Sequence, residues 1–187
     1  MTNNEPQLNK DSIEVFSRTA EELVRRAILE SGQASYHRRA PNLSAVVLYD
    51  QAEAVIQKLL GVQPTSITAF LLLSAIAEGR LQFGSAIESL ETAFSLGEPR
   101  SKKNLKRLAR LRESMEWWQK LGLSPYHLAE LGAYLTEVGV DAHCNDFRYT
   151  NAWLIETGIQ TPEAMAGRFI NLGAFTDFQV LANLVHS

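Results

Sequence analysis

The chain has 187 residues, 45% of them hydrophobic and 21% charged, with a formal net charge of -3. A chain of this length and balance can bury a core without disulfides or metals and suits one large or two small domains. The mild acidity points to neither a nucleic-acid binder nor an acidic tail. The single cysteine, Cys144, rules out an intramolecular disulfide and suits a reducing compartment.

The first residues, including Asn3, Asn4, Glu5 and Gln7, are polar and acidic, with no basic and apolar succession of a signal peptide. Residues 1–10 are expected to be disordered. Ile13, Phe16, Ala20, Leu23, Ala27 and Ile28 then recur at helical spacing, which predicts a helix over 12–29 that stops at Gly32. A polar loop over 33–42 carries Tyr36, His37, Arg38, Arg39 and Pro41. Asn42 or Ser44 opens a helix to about residue 60, ended by Gly61. Further helices are expected over 67–78, 82–96 and 101–120, each closed by a glycine: Gly79, Gly97 and Gly122. Ser124-Pro125 and Thr161-Pro162-Glu163 are cap and first-turn signals for two later helices, with another starting near Asp146. The segment 175–185 is apolar and short, and periodicity leaves helix and strand open. The most apolar run, 69–77, is too short to span a membrane.

Two stretches repeat each other at a spacing of 34 residues: Tyr49, Ala52, Ile56 and Leu59 match Phe83, Ala86, Leu90 and Ala93. Phe70, Leu73 and Ser74 precede the second stretch at the spacing of a partner helix, and Pro64 and Pro99 follow the two stretches. Over about 44–99 the chain resembles tetratricopeptide repeats, which implies paired antiparallel helices and a binding rather than catalytic role. The period does not continue: Asn104 and Arg107 stand where Phe70 and Leu73 would recur. Two repeats need neighbouring helices to complete them.

Residues 121–187 differ in texture. Arg148, Thr150, Trp153 and Leu154, followed by the run 173–183 with Val180, Leu181 and Asn183, resemble the bacterial family called domain of unknown function 2695. Members of that family carry cysteines where this chain has His143, Thr176 and Phe178, so a metal cluster implied there would retain at most His143, Cys144 and Asp177. A structural zinc site calls for four ligands.

Basic residues supply the binding candidates. Seven Lys and Arg fall within the thirteen residues 100–112, among them Lys103 and Arg107. Such a run serves either as a solvated helix face or as an anion or acidic-partner surface. Leu105, Leu108, Leu111, Met115 and Trp118 form the expected buried stripe of that helix, which leaves Trp117 in a second interface or exposed. Arg38 and Arg39 in the polar loop, and Arg80 after Gly79, complete the set. No phosphate loop, nucleophile elbow or paired-histidine motif is present.

The sequence thus predicts an all-α fold, with a disordered segment 1–10, a tetratricopeptide-like helical-hairpin stack over 11–120 and a small helical domain over 121–187. The expected function is a non-catalytic bacterial cytoplasmic protein-interaction or adaptor module without a cofactor. It would bind a protein or peptide in a helical groove through Arg38, Arg39, Arg80, Lys103, Arg107 and Trp117, with homodimerisation as a secondary expectation. The alternatives are a small-ligand or metal sensor built on the C-terminal unit, and anion or nucleic-acid binding through helix 100–112.

Overall fold

Polar side chains placed one residue ahead of an apolar run decide where most helices begin. Asn42 Oδ1 accepts the Ala45 amide proton at 2.9 Å, Ser66 Oγ that of Ala69 at 3.3 Å, Ser124 Oγ that of His127 at 3.1 Å and Thr161 Oγ1 that of Ala164 at 3.4 Å. Each bond satisfies a helix-end N–H that has no partner within the helix, worth about 1 kcal/mol. Pro125 and Pro162 follow two of these caps in the first turn, where a missing N–H is harmless.

The computed structural model describes residues 5–186, with side chains from Lys10 onward. Among the described residues the fold is all-α, with nine helices and no strand. They are α1 (Glu5–Ser31), α2 (Leu43–Val62), α3 (Ile67–Gly79), α4 (Phe83–Ser95), α5 (Lys102–Leu121), α6 (Pro125–Glu137), α7 (Arg148–Thr157), α8 (Pro162–Asn171) and α9 (Asp177–Gln179). α1 begins ahead of the expected start, so residues 5–10 of the segment expected to be disordered are helical, and residues 1–4 lie outside the described residues. α2 runs through Gly61 to Val62 and closes with the Gln63 N–H on the Leu59 carbonyl at 2.7 Å.

The chain divides into two units, one of residues up to Tyr36 together with Pro41–Met115, the other of His37–Ala40 and Glu116 onward. The division falls inside α5, ahead of the expected boundary at 120, because Trp117, Trp118 and Leu121 already pack into the second core.

In the first unit α1 pairs with α2 and α3 with α4, and α3 also packs on α1 and α2. Ala20 and Ala27 of α1, Ala45 and Ala52 of α2 and Ala69 of α3 are fully buried, and their small side chains let the helix axes approach around Tyr49, Ile56 and Leu59. Gly79 is required in the same way: a Cβ there would overlap the Tyr49 ring. The positions matched by the 34-residue spacing are buried in both stretches. Tyr49 and Phe83, Ala52 and Ala86, Ile56 and Leu90, Leu59 and Ala93 are all buried.

The second unit has its own core of Leu121, Leu128, Leu131, Leu135, Trp153, Leu154, Met165, Phe169, Ala174, Val180 and Leu184. The segment 175–185 is helical: α9 continues into a π-helical turn, Val180–Val185, that buries Val180 and Leu184. Gly132 of α6 admits this turn, since a Cβ there would lie 2.5 Å from Val185.

α7 has no capping side chain at Phe147, the residue ahead of it. Asp177, fully buried, supplies the cap from a distant part of the chain. Its carboxylate accepts the Tyr149 and Thr150 amide protons, both at 2.9 Å, and its own N–H donates to the Asp146 carbonyl at 2.8 Å. A carboxylate against a helix N-terminus is favoured by both the free N–H groups and the helix dipole. Asp177→Ala leaves the buried Thr150 amide and the half-buried Tyr149 amide without an acceptor and should destabilise the second unit by about 3 kcal/mol in urea unfolding. A loss below about 1 kcal/mol would contradict this role for the carboxylate.

Candidate functional site

Arg107 stands on α5 where a third repeat would place an apolar residue. Its Nε donates to Glu78 Oε2 at 2.9 Å and its Nη2 to Ser74 Oγ at 3.1 Å. The Ser74 hydroxyl, fully buried, donates in turn to the Ala86 carbonyl of α4 at 2.7 Å, and Ser35 Oγ donates to the other oxygen of Glu78 at 2.9 Å. One guanidinium thus joins α5 to α3, and through Ser74 and Glu78 reaches α4 and the turn at Ser35. Arg107 and Glu78 are each about three-quarters screened from water, so the pair is stronger than a surface ion pair.

The other arginines of α5 are also engaged within the first unit. Arg112 pairs with Glu91 of α4 at 2.7 Å, Arg110 lies 5.3 Å from the Tyr36 ring centre, and Arg100, just ahead of the helix, lies 4.8 Å from that of Phe94. Arg80, at the end of α3, bonds Asp50 and, at 2.6 Å, Glu53, both on α2. Arg80 and Arg107 are therefore structural cations that pin helices together.

The lysines of α5 behave differently. Lys102, Lys103 and Lys106 are exposed, and among the described residues none of them forms an ion pair. Leu105, expected in the buried stripe, is 45% exposed, while Leu108 and Leu111 are buried. Lys102, Leu105, Lys106 and Ala109 stand at i, i+3, i+4 and i+7, one face of the helix, and all four are exposed. The first turn of α5 holds no acidic residue.

In the second unit Arg39 lies over the Trp117 ring at 4.2 Å, and Trp117 meets Trp118 edge to face at 4.9 Å. Both tryptophans are half-buried against the second core, so Trp117 belongs to that packing as well as Trp118. Burial draws the Arg39 pKa below the ordinary arginine value, and Arg38 is buried. Cys144 is half-buried, with its Sγ 3.9 Å from Asp141 Oδ1, while His143 is exposed. Asp177 uses both carboxylate oxygens to cap α7, and among the described residues no group of three His, Cys, Asp or Glu is placed to hold a metal ion. The residues left at the cysteine positions of the resembled family do not fit its cluster.

The six basic and aromatic candidates divide between the two units. Arg39 and Trp117 come together, Arg38 is buried, Arg80 and Arg107 are bound to carboxylates, and Lys103 is exposed on α5. The sequence reading missed Leu105 as a surface residue because it shares the i, i+3 spacing of Leu108 and Leu111. No protein-family model, no curated protein and no solved structure matches this chain. The two resemblances thus stand on the residues that carry them.

Cations in the first turn of a helix oppose its dipole, and Lys102 and Lys106 repel each other at i, i+4. Lys102→Glu removes both penalties and places an acid four residues before Lys106. The variant should be more stable than the parent by roughly 0.5–1 kcal/mol in urea unfolding at low salt. A loss of stability would show that Lys102 has a structural partner.

Proposed function

We propose that the chain is a non-catalytic protein-interaction module whose paired helices form a scaffold for a protein or peptide partner. The observation that carries this reading is the shared burial of positions 34 residues apart: Tyr49, Ala52, Ile56 and Leu59 of α2 and Phe83, Ala86, Leu90 and Ala93 of α4. Stacked helical hairpins bury one face against their neighbours and leave the other as an extended surface, the arrangement that repeat proteins use for recognition. The tetratricopeptide resemblance over 44–99 points the same way. The strongly engaged ionisable groups, Arg80, Arg107, Glu78 and Asp177, are bound into structural bonds and not turned together around a reacting centre.

On this reading the protein works in a bacterial cytoplasm, consistent with the resemblance of residues 121–187 to a bacterial family. Among the described residues no helix is long and apolar enough to cross a membrane.

The test is chemical cross-linking of the tagged chain in its own cells, followed by mass measurement of the purified adducts. The reading predicts a discrete adduct with one protein species or with a second copy of the chain. A chain recovered only as the uncross-linked monomer contradicts it.

A further inference from the structure

We propose that the exposed face of α5 formed by Lys102, Leu105, Lys106 and Ala109 docks an acidic protein segment that carries an apolar residue at its centre. If the chain is an interaction module, as proposed above, this face is the part of the first unit best fitted to a charged partner.

Three observations converge on it. The arginines in and just before α5 are engaged inside the unit, on Glu78, Ser74, Glu91, Phe94 and Tyr36, while the three lysines have no carboxylate among the described residues. The acids that precede the helix are already used: Glu98 accepts from Asn104 at 2.9 Å and Glu91 from Arg112 at 2.7 Å. Secondly, the lysines sit where a helix least favours them, in its first two turns with no compensating acid. A local arrangement that disfavours the free chain and has no internal compensation marks a functional surface. Thirdly, Leu105 stays 45% exposed between Lys102 and Lys106, which gives the patch an apolar centre and a cationic rim.

That pattern selects the occupant. Carboxylates spaced along a helix or extended segment can meet Lys102 and Lys106 while an apolar side chain covers Leu105. A nucleic acid would gain only phosphate contacts, because this face holds no aromatic residue on which a base could stack. The basic strip is also finite: exposed Glu113 and Glu116 follow it on the same helix and would repel a long polyanion. Charge complementarity therefore orients the partner, with its acidic end over the first two turns of α5.

A fluorescein-labelled synthetic helical peptide, with glutamates flanking a central leucine, tests the assignment by anisotropy titration into the full chain. Binding should weaken as salt rises from about 50 to about 200 mM. It should fall at least about tenfold in the Lys102→Glu/Lys106→Glu double variant and in Leu105→Asp. Thermal melting confirms that each variant is folded. Peptide binding within about twofold of the parent in the double variant overturns the proposal. Equal competition by a single-stranded oligonucleotide of matched charge overturns it as well, in favour of a nucleic-acid surface. A cellular cross-linked adduct that persists in the double variant overturns this face but leaves the interaction reading standing. Absence of any adduct in the parent chain removes that reading itself.

Discussion

A guanidinium leaves water only where its N–H groups find acceptors, and Arg107 finds them on two side chains of one helix. Glu78 and Ser74 of α3 take its protons, and each passes the connection on, to Ser35 and to the Ala86 carbonyl. The apolar interfaces of the first unit are made of alanines, aliphatic side chains and a few aromatics around the buried Tyr49, which fill space without fixing direction. The Arg107 node fixes direction. It ties α5 to α3 by directed bonds, with Leu108 and Leu111 of α5 buried and Leu105 and the lysines in water.

That constraint explains how one basic helix carries two kinds of cation. Arginine forms several directed bonds and tolerates partial burial, and the α5 arginines pair with a carboxylate or stack on an aromatic ring. Lysine is a point charge that keeps its hydration, and the α5 lysines remain in water with Leu105 among them. The second unit uses the complementary device. Its fully buried Asp177 carboxylate meets two backbone amides at the start of α7, and the short α9 and its π-helical continuation are held in place by that cap and by Val180 and Leu184.

Much of the helical layout was legible because its signals are local. Ser124 and Thr161 cap the helices whose starts they mark, and the apolar spacing of α2 and α4 predicts which side chains are buried. The 34-residue period was legible for the same reason. Its failure at Arg107 was also visible, but what replaces the missing leucine was not, because the partners Ser74 and Glu78 lie on another helix. The capping role of Asp177 is not visible in the sequence, since nothing within a few residues of it reveals that Tyr149 and Thr150 need an acceptor. Helical spacing alone places Leu105 in the buried stripe and leaves Trp117 outside it. Spacing does not say how wide the buried sector of α5 is: it covers Trp117 in the second unit and stops short of Leu105 in the first.

The central claim is that Arg107 and Glu78 act together, not as separate surface charges. A double-mutant cycle with Arg107→Met, Glu78→Gln and the pair, followed by urea unfolding, measures this directly. A coupling of about 1.5–3 kcal/mol is predicted for a charged hydrogen bond screened from water. Additive effects, with a coupling below about 0.5 kcal/mol, would make Arg107 an ordinary surface arginine and contradict the account.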